Sequence, residues 1–394
     1  MLPWFLLLGA CGGAPDGDPP LDDPGRLTLR WVRGYDGDSW ERSRAGVLWG
    51  LANLGATATA IEVQSQHADA VIFTLDLVDA GFPELALPAL LDAVLPLQNT
   101  EEAVLFGGLD VGRFFMKVLY EPWRYYAVTG ACPTLEQWKA AHLGDAPLTY
   151  GITESMLVDG DRLVTFQPAT GSLDDIAFVA LDGEGSIHDG TFEPVDFDVV
   201  DILPSLQQRF AVYDANGELS PSADPTLSPA GQPGRCMWCH EGRLHHGYSS
   251  NPTTPPYLSA EEFDAQLNTM QADIDAARAL DESGVDWTDE NVHEWGELLV
   301  GTFLSPTAGR LSREWAVPEA EILVWLAELP THEDEEFSEF GAEYTRADVD
   351  AYYVQNVEDY CPIATLASPR EVPEGATLDG EGAPEWGCEP KAVP

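Results

Sequence analysis

Apolar and polar residues alternate over 26–33 (RLTLRWVR), which predicts a strand. Asp38-Ser39-Trp40-Glu41 reads as a capping box for a helix to about Leu54, stopped by Gly55. Val47, Leu48, Leu51 and Leu54 would share one face of it. Residues 71–77 (VIFTLDL) predict a strand, and Pro83 to about Leu97 a helix with proline in its first turn. Two further helices are expected over Asp110–Tyr120 and Leu135–His142, the second capped by Thr134 with Gln137.

The pattern changes in the middle of the chain. Segments 149–158 and 161–168 flank the hairpin signal Asp159-Gly160. Segments 175–181 and 191–202 lie around Asp182-Gly183, and 207–214 runs into Asn216-Gly217. A proline- and serine-rich stretch then reads as a loop. Beyond residue 256 helical spacing returns. Ser259-Ala260-Glu261-Glu262 is a capping box for a helix to about Leu280, and Thr288, Pro318 and Thr345 with Asp348 mark three more starts. From Pro362 the tail is rich in proline and glycine. The expected class is α+β: a signal segment 1–10, a flexible tether 11–25, a mainly helical region 26–148, a β-rich region 149–220, and an attachment loop with helices and an irregular tail over 221–394.

Composition narrows the function. The 394 residues allow two or three domains, or one large one. The 67 Asp and Glu against 19 Lys and Arg give a formal charge of −48, which excludes nucleic-acid binding and charge-driven docking on anionic lipid. An acidic surface with lysine only at Lys117, Lys139 and Lys391 suits a protein dissolved in brine, although plain solubility accounts for it equally. The 39 Trp, Tyr and Phe argue for a packed interior rather than general disorder.

The chain opens MLPWFLLLGACGG. Its short apolar run and the sequence Leu8-Gly9-Ala10-Cys11 resemble the signal and lipobox of bacterial lipoproteins. That resemblance implies export, cleavage before Cys11 and lipidation of its thiol, so the expected location is periplasmic or cell-surface, with membrane contact through the anchor alone. No Lys or Arg precedes the apolar run, which departs from the usual signal.

The sharpest chemical signal is Cys236-Met237-Trp238-Cys239-His240. Two thiols three positions apart reach the two vinyl groups of one porphyrin, and the next residue offers an imidazole to the iron from the same face. The run resembles the haem-binding motif of c-type cytochromes. The resemblance covers about ten residues and implies a single haem c, with Cys236 and Cys239 as thioether attachments and His240 as the proximal iron ligand. The haem is expected where the β-rich and helical parts meet.

Rival readings stand beside it. Cys236 and Cys239 with His240, His245 or His246 could hold structural zinc, although no second cysteine pair follows at zinc-site spacing. A thioredoxin-like pair and a plain Cys236–Cys239 disulfide complete the set. For the sixth iron position Met270 lies in an apolar stripe with Phe263, Leu267 and Ile274, which is the usual signature of core. His245 and His246 follow His240 closely, while His293, Met116 and Met156 are remote. An open iron is a further alternative. Cys361 and Cys388 would close the tail as a disulfide, with Cys132 as another possible partner. Trp123, Tyr125 and Tyr126 line either a pocket, an electron route or core. The function expected from these residues is electron transfer with a basic redox partner. The alternatives are a five-coordinate haem enzyme or gas-binding protein, and a surface interaction protein with a structural Cys/His element.

Overall fold

The computed structural model describes residues 25–83, 85–119, 121–153, 161–224, 231–244, 256–334 and 337–350. They form an α+β fold with two sheets. The N-terminal part contains β1 (Arg26–Val32), α1 (Trp40–Asn53), β2 (Ile61–Gln66), β3 (Ala70–Asp76), α2 (Ala86–Gln98), α3 (Glu101–Phe106), β4 (Leu109–Asp110), α4 (Val111–Leu119), α5 (Pro122–Thr129) and α6 (Leu135–His142). The sheet order is β2-β3-β1-β4, with β1 antiparallel to β3 and parallel to β4. The region read as mainly helical therefore also carries a four-stranded sheet. Leu27, Leu29 and Trp31 of β1 and Val71, Phe73 and Leu75 of β3 are buried, as alternation requires of one sheet face. Trp40 brings α1 onto that face, its ring 4.9 Å from Phe73.

The cap of α1 lies one residue later than the Asp38 box. Ser39 is the N-cap, accepting from the Arg42 N–H, while Asp38 accepts from the Gly34 N–H at 2.9 Å and from the Ser43 hydroxyl at 2.8 Å. A β-carbon on Gly46 would stand 2.6 Å from the Glu294 carbonyl oxygen. The missing side chain thus lets α9 (Asp289–Leu299) pack backbone to backbone on α1.

The second sheet is an antiparallel meander of β5 (Leu148–Ile152), β6 (Arg162–Phe166), β7 (Ala177–Glu184), β8 (Glu193–Ile202), β9 (Gln208–Tyr213) and β10 (Leu219–Ser220). Asp159-Gly160 lies outside the described residues. Asp182-Gly183, expected as a turn, falls inside β7 at a register shift against β8, so the strand runs through it. Asn216-Gly217 is a turn: Gly217 has φ +74°, and Asp214 accepts from the Asn216 and Glu218 N–H groups.

The remaining helices are α7 (Pro233–His240), α8 (Ala260–Arg278), α9, α10 (Ala308–Trp315), α11 (Glu319–Trp325) and α12 (Arg346–Asp350), with a π-helical turn over Val300–Leu304. The Ser259–Glu262 capping box opens α8 as expected. Phe263, Leu267, Met270 and Ile274 pack with Tyr150, Phe166 and Phe178 in a second core. A larger core runs from β1 through α1, α2, α4 and α5 to α9 and Phe340. The C-terminal helices are tied to the N-terminal sheet by buried charge. Glu314 of α10 binds Arg113 of α4 at 2.9 Å and Arg346 of α12 at 3.0 Å, and Arg310 lies 3.3 Å away while pairing with Asp110. Among the described residues no helix is long and apolar enough to cross a membrane.

Candidate functional site

The Cys236–His240 run lies on α7 and not in a loop. Pro233 stands in the first turn, where its fixed φ suits a helix and its missing N–H is not needed, so the Pro-Gly pair opens a helix here. On a helix, positions 236, 239 and 240 are i, i+3 and i+4 and share one face. Met237 is buried in the larger core, and Cys236 is half-buried against the same core.

The helix rests on β9 and α5. The Cys236 sulfur lies 3.8 Å from the Gln232 carbonyl oxygen and within electrostatic reach of Tyr125 and Tyr126. Both tyrosines are buried core residues, and burial holds their phenols well above the ordinary range, so they stay neutral. Tyr125 accepts from the Phe210 N–H at 3.1 Å. Tyr126 accepts from the Val212 N–H at 3.2 Å and donates to the Ser220 carbonyl at 2.7 Å, bridging β9 and β10.

The end of α7 is set by Glu241 in the left-handed region, its N–H bonded to the Met237 carbonyl at 3.1 Å. Gly242 follows with φ +72°, where a β-carbon would meet Gln207 Oε1 at 3.0 Å and Trp49 at 3.2 Å. This turn brings the Arg243 carbonyl oxygen to 3.4 Å from His240 Nδ1. A backbone carbonyl at Nδ1 favours the tautomer whose Nε2 can ligate a metal. The His240 ring also packs on Phe210, with centroids 5.2 Å apart. Gln208 Nε2 donates to the Arg243 carbonyl, and the Leu244 N–H donates to Gln271 on α8, so strand, turn and long helix are joined behind the motif.

No protein-family model, curated protein or solved structure matches the chain.

The donor set itself fits a c-type haem. Cys236 and Cys239 stand three positions apart on one helix, and the His240 imidazole beside them is oriented by a backbone carbonyl. The side chains of Cys239 and His293 lie outside the description, as do Cys11, Met156, His245, His246, Cys361 and Cys388 altogether. Met270 is fully enclosed in the second core, and Met116 is buried in the larger one. The Cys132 carbonyl accepts from the Tyr213 hydroxyl, and burial raises its thiol. Among the described residues no three His, Cys, Asp or Glu side chains converge as metal ligands. A cleft of about 310 Å³ lies elsewhere, between Tyr35, Arg313, Glu319 and Tyr344. Sequence reasoning missed Phe210, the Arg243 carbonyl and the packing of α7 on β9, because they come to the motif through the register of a meander and a short turn. The only local signal was Gly242, two residues after the histidine.

Proposed function

We propose that the chain is an exported c-type haem protein that transfers electrons, with Cys236 and Cys239 as thioether attachments and His240 as the proximal ligand. The carrying observation is the unbroken Cys-x-x-Cys-His run on one helix, with His240 Nδ1 facing the Arg243 carbonyl. Bound haem c would supply the one-electron step, its iron cycling between Fe(II) and Fe(III). The chain's own residues do the rest. The helix sets the thiol spacing, Arg243 fixes the imidazole, Phe210 gives the ring an apolar shoulder, and Tyr125 and Tyr126 line the side of Cys236. Anchoring through Cys11, and a basic redox partner steered by the charge of −48, belong to the same reading.

A second reading, a five-coordinate haem that binds a gas or small ligand, is favoured by one observation. Met270 is enclosed by Phe263, Leu267 and Ile274, which argues against its reaching the iron.

The test is expression alongside cytochrome maturation machinery. The expected product is coloured and keeps its haem under denaturation, and Cys236→Ala loses it. A colourless protein from a competent host, or full haem content in Cys236→Ala, overturns the haem reading. A reduced spectrum unchanged by carbon monoxide supports electron transfer; a shifted one supports the five-coordinate reading.

A further inference from the structure

The turn between α10 and α11 folds the second helix back on the first. Ala316 ends α10 in the left-handed region, Ser312 binds both the N–H and the carbonyl of Val317, and Pro318 precedes α11. Glu319, the first residue of α11, thereby returns to the start of α10. A β-carbon on Gly309 would lie 3.7 Å from Glu319 Oε2, and 3.5 Å and 3.8 Å from the two terminal nitrogens of Arg313. Gly309 and Arg313 are i and i+4 on α10, so the guanidinium leans back over the glycine. Two opposite charges thus approach one spot, yet among the described residues no ion pair joins them. Arg313 is held by the Arg33 carbonyl at 3.3 Å and by Asp36 at 3.5 Å. Both contacts are long, and the Asp36 side chain is 98% exposed.

This spot belongs to the cleft of about 310 Å³, which Gly309, Arg313 and Glu319 all line. Apolar surface lines it too. The rings of Tyr35 and Phe340, both buried, stand 4.6 Å apart, and Leu323 of α11 is half exposed. The Tyr35 hydroxyl is engaged with Glu297 at 2.8 Å and Arg42 at 3.0 Å, so it is the ring that meets the cleft. Asp36 and Glu339 also line the cleft, so carboxylates outnumber the guanidinium there.

Each feature narrows the occupant. The volume is at the lower end of ligand sites, which span roughly 300–1,000 Å³, so the ligand is small. A bare carboxylate would be repelled by Asp36, Glu319 and Glu339. A bare ammonium would leave Arg313 without an anion, although burial and the neighbouring Arg33 already weigh against its charge. A ligand with both charges answers both. Because Arg313 and Glu319 approach a single spot, those charges must stand close together, as they do on one carbon atom.

We propose that this cleft binds a free α-amino acid with an apolar side chain: Arg313 takes the carboxylate, Glu319 the ammonium, and Tyr35, Phe340 and Leu323 receive the side chain. The site is independent of the haem reading.

Titration calorimetry on the full chain tests this. L-phenylalanine or L-leucine should bind saturably, with a dissociation constant below about 1 mM. Phenylpropionate and phenethylamine, which each keep one charge of phenylalanine, should bind at least about tenfold more weakly. Arg313→Met and Glu319→Gln should each weaken amino-acid binding by a similar factor. Gly309→Ala fills the spot at ordinary contact distance, and alanine suits a helix better than glycine, so this variant should melt no lower than wild type and lose binding. No saturable binding of either amino acid to wild type overturns the proposal. So does a half-ligand that binds as well as phenylalanine, or unchanged binding in Gly309→Ala.

Discussion

Glu314→Gln removes one negative charge from the buried network that ties α10 and α12 to α4, and its effect can be worked from the structure. Glu314 is 1% exposed, and its carboxylate meets Arg113 at 2.9 Å, Arg346 at 3.0 Å and 3.1 Å, and Arg310 at 3.3 Å. Asp110 is the network's other carboxylate, so three guanidiniums share two negative charges in the native protein and one in the variant. Removing one partner of a buried pair costs about 3–5 kcal/mol, because the charges left behind stay desolvated. Burial pushes the Glu314 carboxyl up, but Arg346, Arg113 and Arg310 outweigh it and hold it well below the usual range. A depressed native pKa gives stability that is present above the unfolded value of about 4.3 and is lost as pH falls below it. The expected result in urea denaturation is a loss of about 3–5 kcal/mol at neutral pH, with the gap between wild type and variant closing below about pH 4. A double-mutant cycle with Arg113→Met should show coupling between the two positions. A loss under about 0.5 kcal/mol, or a gap that widens in acid, would refute the reasoning.

Two further outcomes are expected. Gly242→Ala should cost about 1–2 kcal/mol from its left-handed backbone alone, and more from the approach to Gln207 and Trp49, read as a lower urea midpoint; a neutral substitution would show that the turn after His240 is not tightly held. Glu343 is buried, and burial with the charges of Asp334 and Glu339 pushes its carboxyl up to about 8. Wild type should therefore lose stability as pH rises from the unfolded value of about 4.3 through that range. Glu343→Gln should flatten this part of the thermal-stability profile, and parallel profiles would contradict the assignment.

Much of the fold was legible in the sequence where one residue pattern decides an element. β1, β3 and β9 follow their apolar runs, and Thr134 and Ser259 cap α6 and α8 where their partners predict. β2 was not legible, because Ile61–Gln66 is an exposed strand with few apolar positions to alternate. α3, a six-residue helix ended by the left-handed Gly107, gives too few turns for a period to show. The motif at 236–240 could be read directly because its chemistry is contiguous. Its setting could not, since Pro233-Gly234 signals a turn as readily as a helix start. The burial of Asp182 and Asp196 was not legible, because only the pairing of β7 with β8 shows that these two aspartates face inward.

The tyrosines beside Cys236 have a consequence for the protein's dealings with copies of itself. β10 is only two residues long and pairs with Tyr213 and Val212 alone, so among the described residues no further strand pairs with the rest of this side of β9. Such an edge normally templates another chain. Here the amide hydrogens of Phe210 and Val212 are already claimed by phenolic oxygens, and Tyr126 is wedged against Ser220. An incoming strand would have to evict two buried aromatic rings before it could pair, which guards this side of the meander against fibre-like growth.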